Sequence, residues 1–208
     1  MPSVSDIRRR IRSVENTAKI TKAMSMIAAS KMRRAQEMAL QGRPYAERMR
    51  ALLSDLSAQE REEEGLHPLL RRREANNITL VLITPDRGLT GGLHSKINRA
   101  AAQFLIAQSV NTQLITIGRK GRDFMMRTGQ NVQAVFTELG DRPSVLDIAP
   151  VASIVTDDFS EGRIDAVYIV YADFVSTTVQ TPIVRPLLPV VPMPLSPEEA
   201  VGYIYEPT

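Results

Sequence analysis

The segment "TPDRGLTGGLHSK", residues 84–96, is where this sequence comes nearest to nucleotide chemistry. An apolar strand that runs through glycines into a helix is the usual setting for a phosphate, because free backbone N–H groups and the helix dipole converge there. The spacing does not meet the requirement. A P-loop needs G-x-x-x-x-G-K-[ST], whereas here Gly92 is followed by Leu93 and His94, and Lys96 arrives a turn late. The dinucleotide fingerprint G-x-G-x-x-G does not fit either, so a tight strand-to-helix turn accounts for the glycines. "GRKGR" at 118–122 is similar, a basic and glycine-flanked strand end that reads as a solvated helix start. His67 and His94 lie far apart in sequence and no cysteine accompanies them, which leaves no metal set. Asp157 and Asp158 are adjacent and do not share a helix face, so they do not form a catalytic carboxylate pair. Serine and histidine occur without a nucleophile elbow. The expectation is a chain with no active site, no cofactor and no metal.

The charge points to partners instead. Residues 1–50 hold twelve Lys and Arg against four acids, Asp6, Glu15, Glu37 and Glu47, while the whole chain nets only +3, so the remainder is net acidic. Residues 3–57 read as one long helix, capped by Ser3 or Ser5 with Asp6 in the first turn. Val4, Ile7, Ile11, Val14 and Ala18 form a heptad-like stripe that Ala28, Met32, Ala35 and Ala39 extend, and Ile20, Met24 and Ile27 run parallel to it. Gly42 and Pro44 interrupt the pattern and are expected to kink the helix. At 1.5 Å per residue such a helix spans roughly 80 Å. Most of it should project beyond a domain only a few tens of ångströms across. An amphipathic helix of this kind needs a partner helix. A basic nucleic-acid-binding arm is the alternative, since Lys and Arg can follow phosphates. No aromatic residue precedes Tyr45, though, so base stacking has nothing to work with.

Beyond a charged connector at 59–77, strands and helices alternate. "ITLVLIT" (78–84) is a buried-strand run, followed by a helix at 94–108, a strand at 113–118, a helix at 119–129 and a strand at 132–136. A helix at 144–159, a strand at 165–174 and a proline-bearing edge strand at 177–189 complete the series. This order indicates an α/β layer fold with a mainly parallel sheet. The expected organisation is a helix at 1–58, the connector at 59–77, a globular domain at 78–195 and a tail at 196–208. No apolar run reaches the ~20 residues of a membrane span, and no apolar stretch of signal-peptide type follows the charged start.

Four segments in order resemble one family. "DIRRRIRSVENTAKITKAMSMIAASKMRRAQ", "TPDRGLTGGLHSKI", "GRKGRDFMMRTG" and "YIYEPT" are similar to the gamma subunit of F-type ATP synthase. The absence of cysteine matches the bacterial type rather than the chloroplast type with its cysteine-bearing insert. The resemblance implies a long N-terminal helix, half of a coiled coil, on a Rossmann-like α/β domain. It implies a rotor turning inside a ring of alpha and beta subunits, above a c ring and an epsilon subunit, peripheral at the cytoplasmic face of the bacterial membrane. It implies no catalysis by the chain itself and no nucleic acid partner. Bearing contacts to the beta subunits would come from Met24, Arg9, Arg10, Lys22, Arg87 and Thr90. Arg43, Tyr45, Tyr203, Tyr205 and Glu206 would form a foot against the c ring and epsilon subunit. In the family a C-terminal helix follows the last of these segments, whereas this sequence stops at Thr208.

Overall fold

A computed structural model describes residues 3–59, 67–140 and 142–190. The chain divides into two units, residues 1–50 and 51–208. From Val4 on, the first is helix, part of α1 (Val4–Gln59). Ser3 begins it. The Asp6 amide donates to Ser3 Oγ at 3.2 Å, and Ser3 Oγ donates to the Asp6 carboxylate at 2.8 Å, a reciprocal cap on the first turn. The helix then runs without a break through Gly42 and Pro44, as the single continuous helix read from the sequence. Proline removes only the N–H that would reach the Leu40 carbonyl, and nothing stands within 4 Å of where a Gly42 side chain would start. Of residues 3–49, only Asp6 and Gln36 are even half-buried. This helix has the pattern of a core face and no core.

The second unit is a five-stranded sheet in the order β3-β2-β1-β4-β5, built from β1 (Asn77–Ile83), β2 (Asn111–Ile117), β3 (Val132–Phe136), β4 (Ala166–Phe174) and β5 (Gln180–Leu188). The first three pairings along this order, β3–β2, β2–β1 and β1–β4, are parallel, and β5 closes the edge antiparallel to β4. The helices α2 (Leu93–Ala107), α3 (Arg119–Arg127) and α4 (Val145–Ser160) fall between the parallel strands. The long apolar run of β1 is explained by its place, because it pairs on both edges and is covered on both faces. Alternation divides its side chains. Leu80 and Leu82 join Ile97 and Ala101 of α2 and Met125 of α3, while Val81 joins Val151, Val155 and Phe159 of α4. Pro182 and Pro186 sit on edge strand β5, where a missing N–H leaves no central ladder bond unmade.

The adjacent acids Asp157 and Asp158 have opposite fates. Asp157 is exposed. Asp158 is buried, only 7% exposed, and its carboxylate accepts from Arg163 Nε at 2.7 Å and from Gln133 Nε2 at 3.1 Å. It ties the end of α4 to the following turn and to β3. Nearby, Arg73 donates to the Phe159 carbonyl at 2.9 Å and lies 5.3 Å from the centre of its ring. At the other end of α4 the Ser144 amide and hydroxyl both donate to the Asp147 carboxylate at 2.7 Å, which holds that carboxyl below its ordinary pKa.

Asp158→Ala should therefore cost about 1–3 kcal/mol by leaving buried donors unpaired. Asp157→Ala, one residue away and exposed, should stay within about 0.5 kcal/mol. Urea denaturation of the two variants checks the contrast.

Candidate functional site

Two surfaces carry the residues singled out from the sequence, one in each unit. On α1 the apolar side chains lie in the open. Ile11 is 53% exposed, Ile20 61%, Met24 61% and Ile27 58%. Threonines shorten the polar reach of the helix surface by bonding backwards, Thr17 to the Ser13 carbonyl at 2.9 Å and Thr21 to the Thr17 carbonyl at 2.8 Å. At 3.6 residues per turn, Lys22 falls in line with Val4, Ile11 and Ala18, while Met24 lies about 200° round from it, near the line of Arg10 about four turns before. Lys22 and Met24 thus lie on different sides of the helix. Arg9 is paired to Asp6 at 3.4 Å and is well exposed. Arg43 and Tyr45 are exposed too, Tyr45 at 71%. Tyr203, Tyr205 and Glu206 lie outside the described residues.

The second surface is the carboxyl edge of the parallel sheet, where Thr84 is the pivot. Its hydroxyl accepts from the Gly121 amide at 2.7 Å, and its own amide donates to the Ile117 carbonyl at 2.8 Å. This packs the start of α3 directly on the end of β1, leaving room for glycine only. A Cβ on Gly118, whose φ is +100°, would stand 1.9 Å from the Thr84 carbonyl oxygen. Asp86 then closes the edge. Its carboxylate accepts from the Arg119 amide at 3.0 Å and from the Glu138 amide at 2.9 Å, so one side chain joins the loops after β1, β2 and β3. Arg119 and Glu138 also pair with each other through their side chains.

That arrangement answers the phosphate question physically. The first turn of α3 is the place where an anion would bind, and the Asp86 carboxylate of the chain itself already occupies it. Arg87, the next residue, is exposed, as are Gly88 and Leu89 beyond it. Thr90 is half-buried, with Oγ1 3.2 Å from His94 Nδ1. His67 is elsewhere, capping the 3-10 turn Pro68–Leu70 through Nδ1. Among the described residues no group of three or more His, Asp or Glu is placed to hold a metal ion. No described helix is long and apolar enough to cross a membrane.

A family model described as ATP synthase matches residues 3–208. The ATP synthase gamma chain of Dehalococcoides mccartyi is 49% identical over 207 residues, covering all of this chain and 73% of that one. This chain belongs to the ATP synthase gamma chain family. The gamma chain of Roseiflexus castenholzii is 44% identical over 211 residues with the same coverage. Among solved structures, the central stalk and c-ring assembly of Tetrahymena thermophila mitochondrial ATP synthase contains a similar chain. It has a TM-score of 0.64 and 24% identity, covering 82% of this chain and 72% of that chain, a likeness of fold. The family places the chain as a subunit of a complex, in agreement with the resemblance read from its four motifs.

Sequence reasoning missed Asp86 and Thr84. Both stand in the 84–96 segment, but their partners are backbone amides at the start of α3, more than thirty residues away. Asp86→Ala should lower stability by about 1–2 kcal/mol, the loss typical of a helix cap. Arg87→Gln should change it by under about 0.5 kcal/mol, as an exposed site does. Thermal melts of both variants test this, and a large drop for Arg87→Gln would make Arg87 a structural residue.

Proposed function

We propose that the chain is the non-catalytic central-stalk subunit that couples proton flow through a c ring to ATP synthesis in an alpha/beta ring. Residues 1–58 are the shaft in this reading, 59–77 its connector and 78–195 the platform, held at the cytoplasmic face of a bacterial membrane. The observation that carries the reading is the uncovered face of α1, an unbroken helix with its isoleucines and methionines exposed. A shaft must fit its bearing at every angle and adhere at none. Alanines allow close approach, and methionines repack at small cost where deep leucine ridges would lock one orientation.

Met24, Arg9, Arg10 and Lys22 would then meet the beta subunits along the shaft, and Arg87 and Thr90 would meet them from the loop after β1. The exposure of the Arg87 side chain, on a loop anchored by Asp86, suits a charge-assisted contact with an acidic surface. Arg43 and Tyr45 would dock with Tyr203, Tyr205 and Glu206 on the c ring and epsilon subunit, where tyrosine suits a half-wet interface. The Tetrahymena thermophila structure, a central stalk with its c ring, supports this assignment of partners.

Met24→Lys is the direct test. An added charge-assisted bond of about 1.5–3 kcal/mol, formed in some rotary positions and not others, deepens those positions, and each ~1.4 kcal/mol slows escape tenfold. Proton pumping per ATP in reconstituted vesicles should fall, and unchanged pumping would move Met24 off the bearing. The purified chain alone should not turn over Mg-ATP. Turnover that persists after removal of contaminating beta subunit would refute the non-catalytic role.

A further inference from the structure

The α/β unit has a furrow that none of Arg9, Arg10, Lys22, Met24, Arg87 and Thr90 lines. It runs between α2 and α3 and encloses about 1010 Å³, with Asn98, Arg99 and Ala102 on one wall and Lys120, Phe124 and Arg127 on the other. A second hollow of about 240 Å³ shares Ala102 and Phe124 and continues the furrow to Ile106 and Thr128. The lining has two characters. Arg99, Lys120 and Arg127 make no ion pair among the described residues. The carboxylate on this wall, Asp123, is bonded to its neighbour Arg122 at 2.6 Å, and it is one acid against the three cations of the lining. That bond, aided by Lys120 and Arg127, keeps the Asp123 carboxyl below its ordinary pKa and hence charged. The apolar character comes from Ile106, 84% exposed, and Met126, 61% exposed, with Ala102 and Phe124 half-buried between.

Asn98 fixes the furrow's floor. It is 4% exposed and donates its amide to the Lys120 carbonyl at 3.2 Å, which joins α2 to α3, while its side-chain oxygen has no partner. The walls are therefore held in place before anything binds.

We propose that this furrow docks an acidic amphipathic helix from another protein of the assembled complex. Charge selects the occupant. A small anion would use the three cations and leave Ile106 and Met126 in water. A second copy of this furrow would bring like charges together. A helix with Asp or Glu on one side and apolar anchors at i, i+3 and i+4 spacing satisfies both parts of the lining. The 15 residues of α2 give a track of about 22 Å, room for about four turns of a partner. The inference stands apart from the rotor reading, because neither Met24 nor Arg87 lines the furrow.

Photo-cross-linking in the assembled enzyme tests it, with p-benzoylphenylalanine in place of Met126 or, separately, of Ala102. Met126 is exposed, so that variant does not depend on repacking the furrow. The expected product joins this chain to one helical segment of another subunit, rich in Asp and Glu. Its yield should fall several-fold with Arg99→Glu plus Arg127→Glu and fall again as salt is raised. A cross-link within this chain, to a second copy, or to a segment without acidic residues would overturn the proposal. So would the absence of any cross-link while the same photoprobe at Met24 reacts. Failure at Met24 alone would count against the bearing and leave the furrow standing.

Discussion

The N-terminal unit is governed by a burial it cannot complete alone. Helix propensity and reciprocal capping by Ser3 and Asp6 set its start, but an isolated helix gains little from them, and most helical stability in proteins comes from packing an apolar face. Here that face is uncovered over residues 3–49 of the chain. Its cost falls on association, since exposed apolar area is worth about 25 cal/mol per Å² once a partner removes it from water. The helix therefore has structure without a core, and its partners must supply the core. Side-chain choice then tunes how tightly. Alanine lets partner backbones approach closely, and methionine repacks at small cost without the deep interlocking of leucine ridges.

The α/β unit solves the opposite problem. Its central strand is buried on both faces, so its stability is internal and its surface is free to be specialised. The specialisation concentrates at the carboxyl edge, as is usual where loops after parallel strands meet helix starts. Other folds leave that edge open for a phosphate. Here Gly118 and Gly121 let the α3 start sit against Thr84, and Asp86 takes the vacant donors. A loop pinned this firmly can present Arg87 outward with little loss of order, which is what a surface contact needs.

Much of this was legible in the sequence because it rests on periodicity. The run 78–84 found β1 within a residue, and alternation after it located the other strands and helices to within about three residues. The exposed stripe of α1 was legible for the same reason. What escaped has a common cause. Asp158 was indistinguishable from Asp157 by sequence, since only tertiary placement makes one a buried acceptor for Arg163 and Gln133. Asp86 was hidden inside a motif weighed for its glycines.

The two units nonetheless combine charge and apolar area in the same way. Cations on α1 flank a stripe that wants a partner, so they act together with burial, and a nucleic acid would use the charge and leave the stripe wet. Cations on the α2–α3 furrow stand beside exposed Ile106 and Met126 in the same combination. In each case the apolar component discriminates, because phosphate and carboxylate attract Lys and Arg alike. A surface that joins cations to apolar area is satisfied by an acidic protein segment and only half satisfied by anything else.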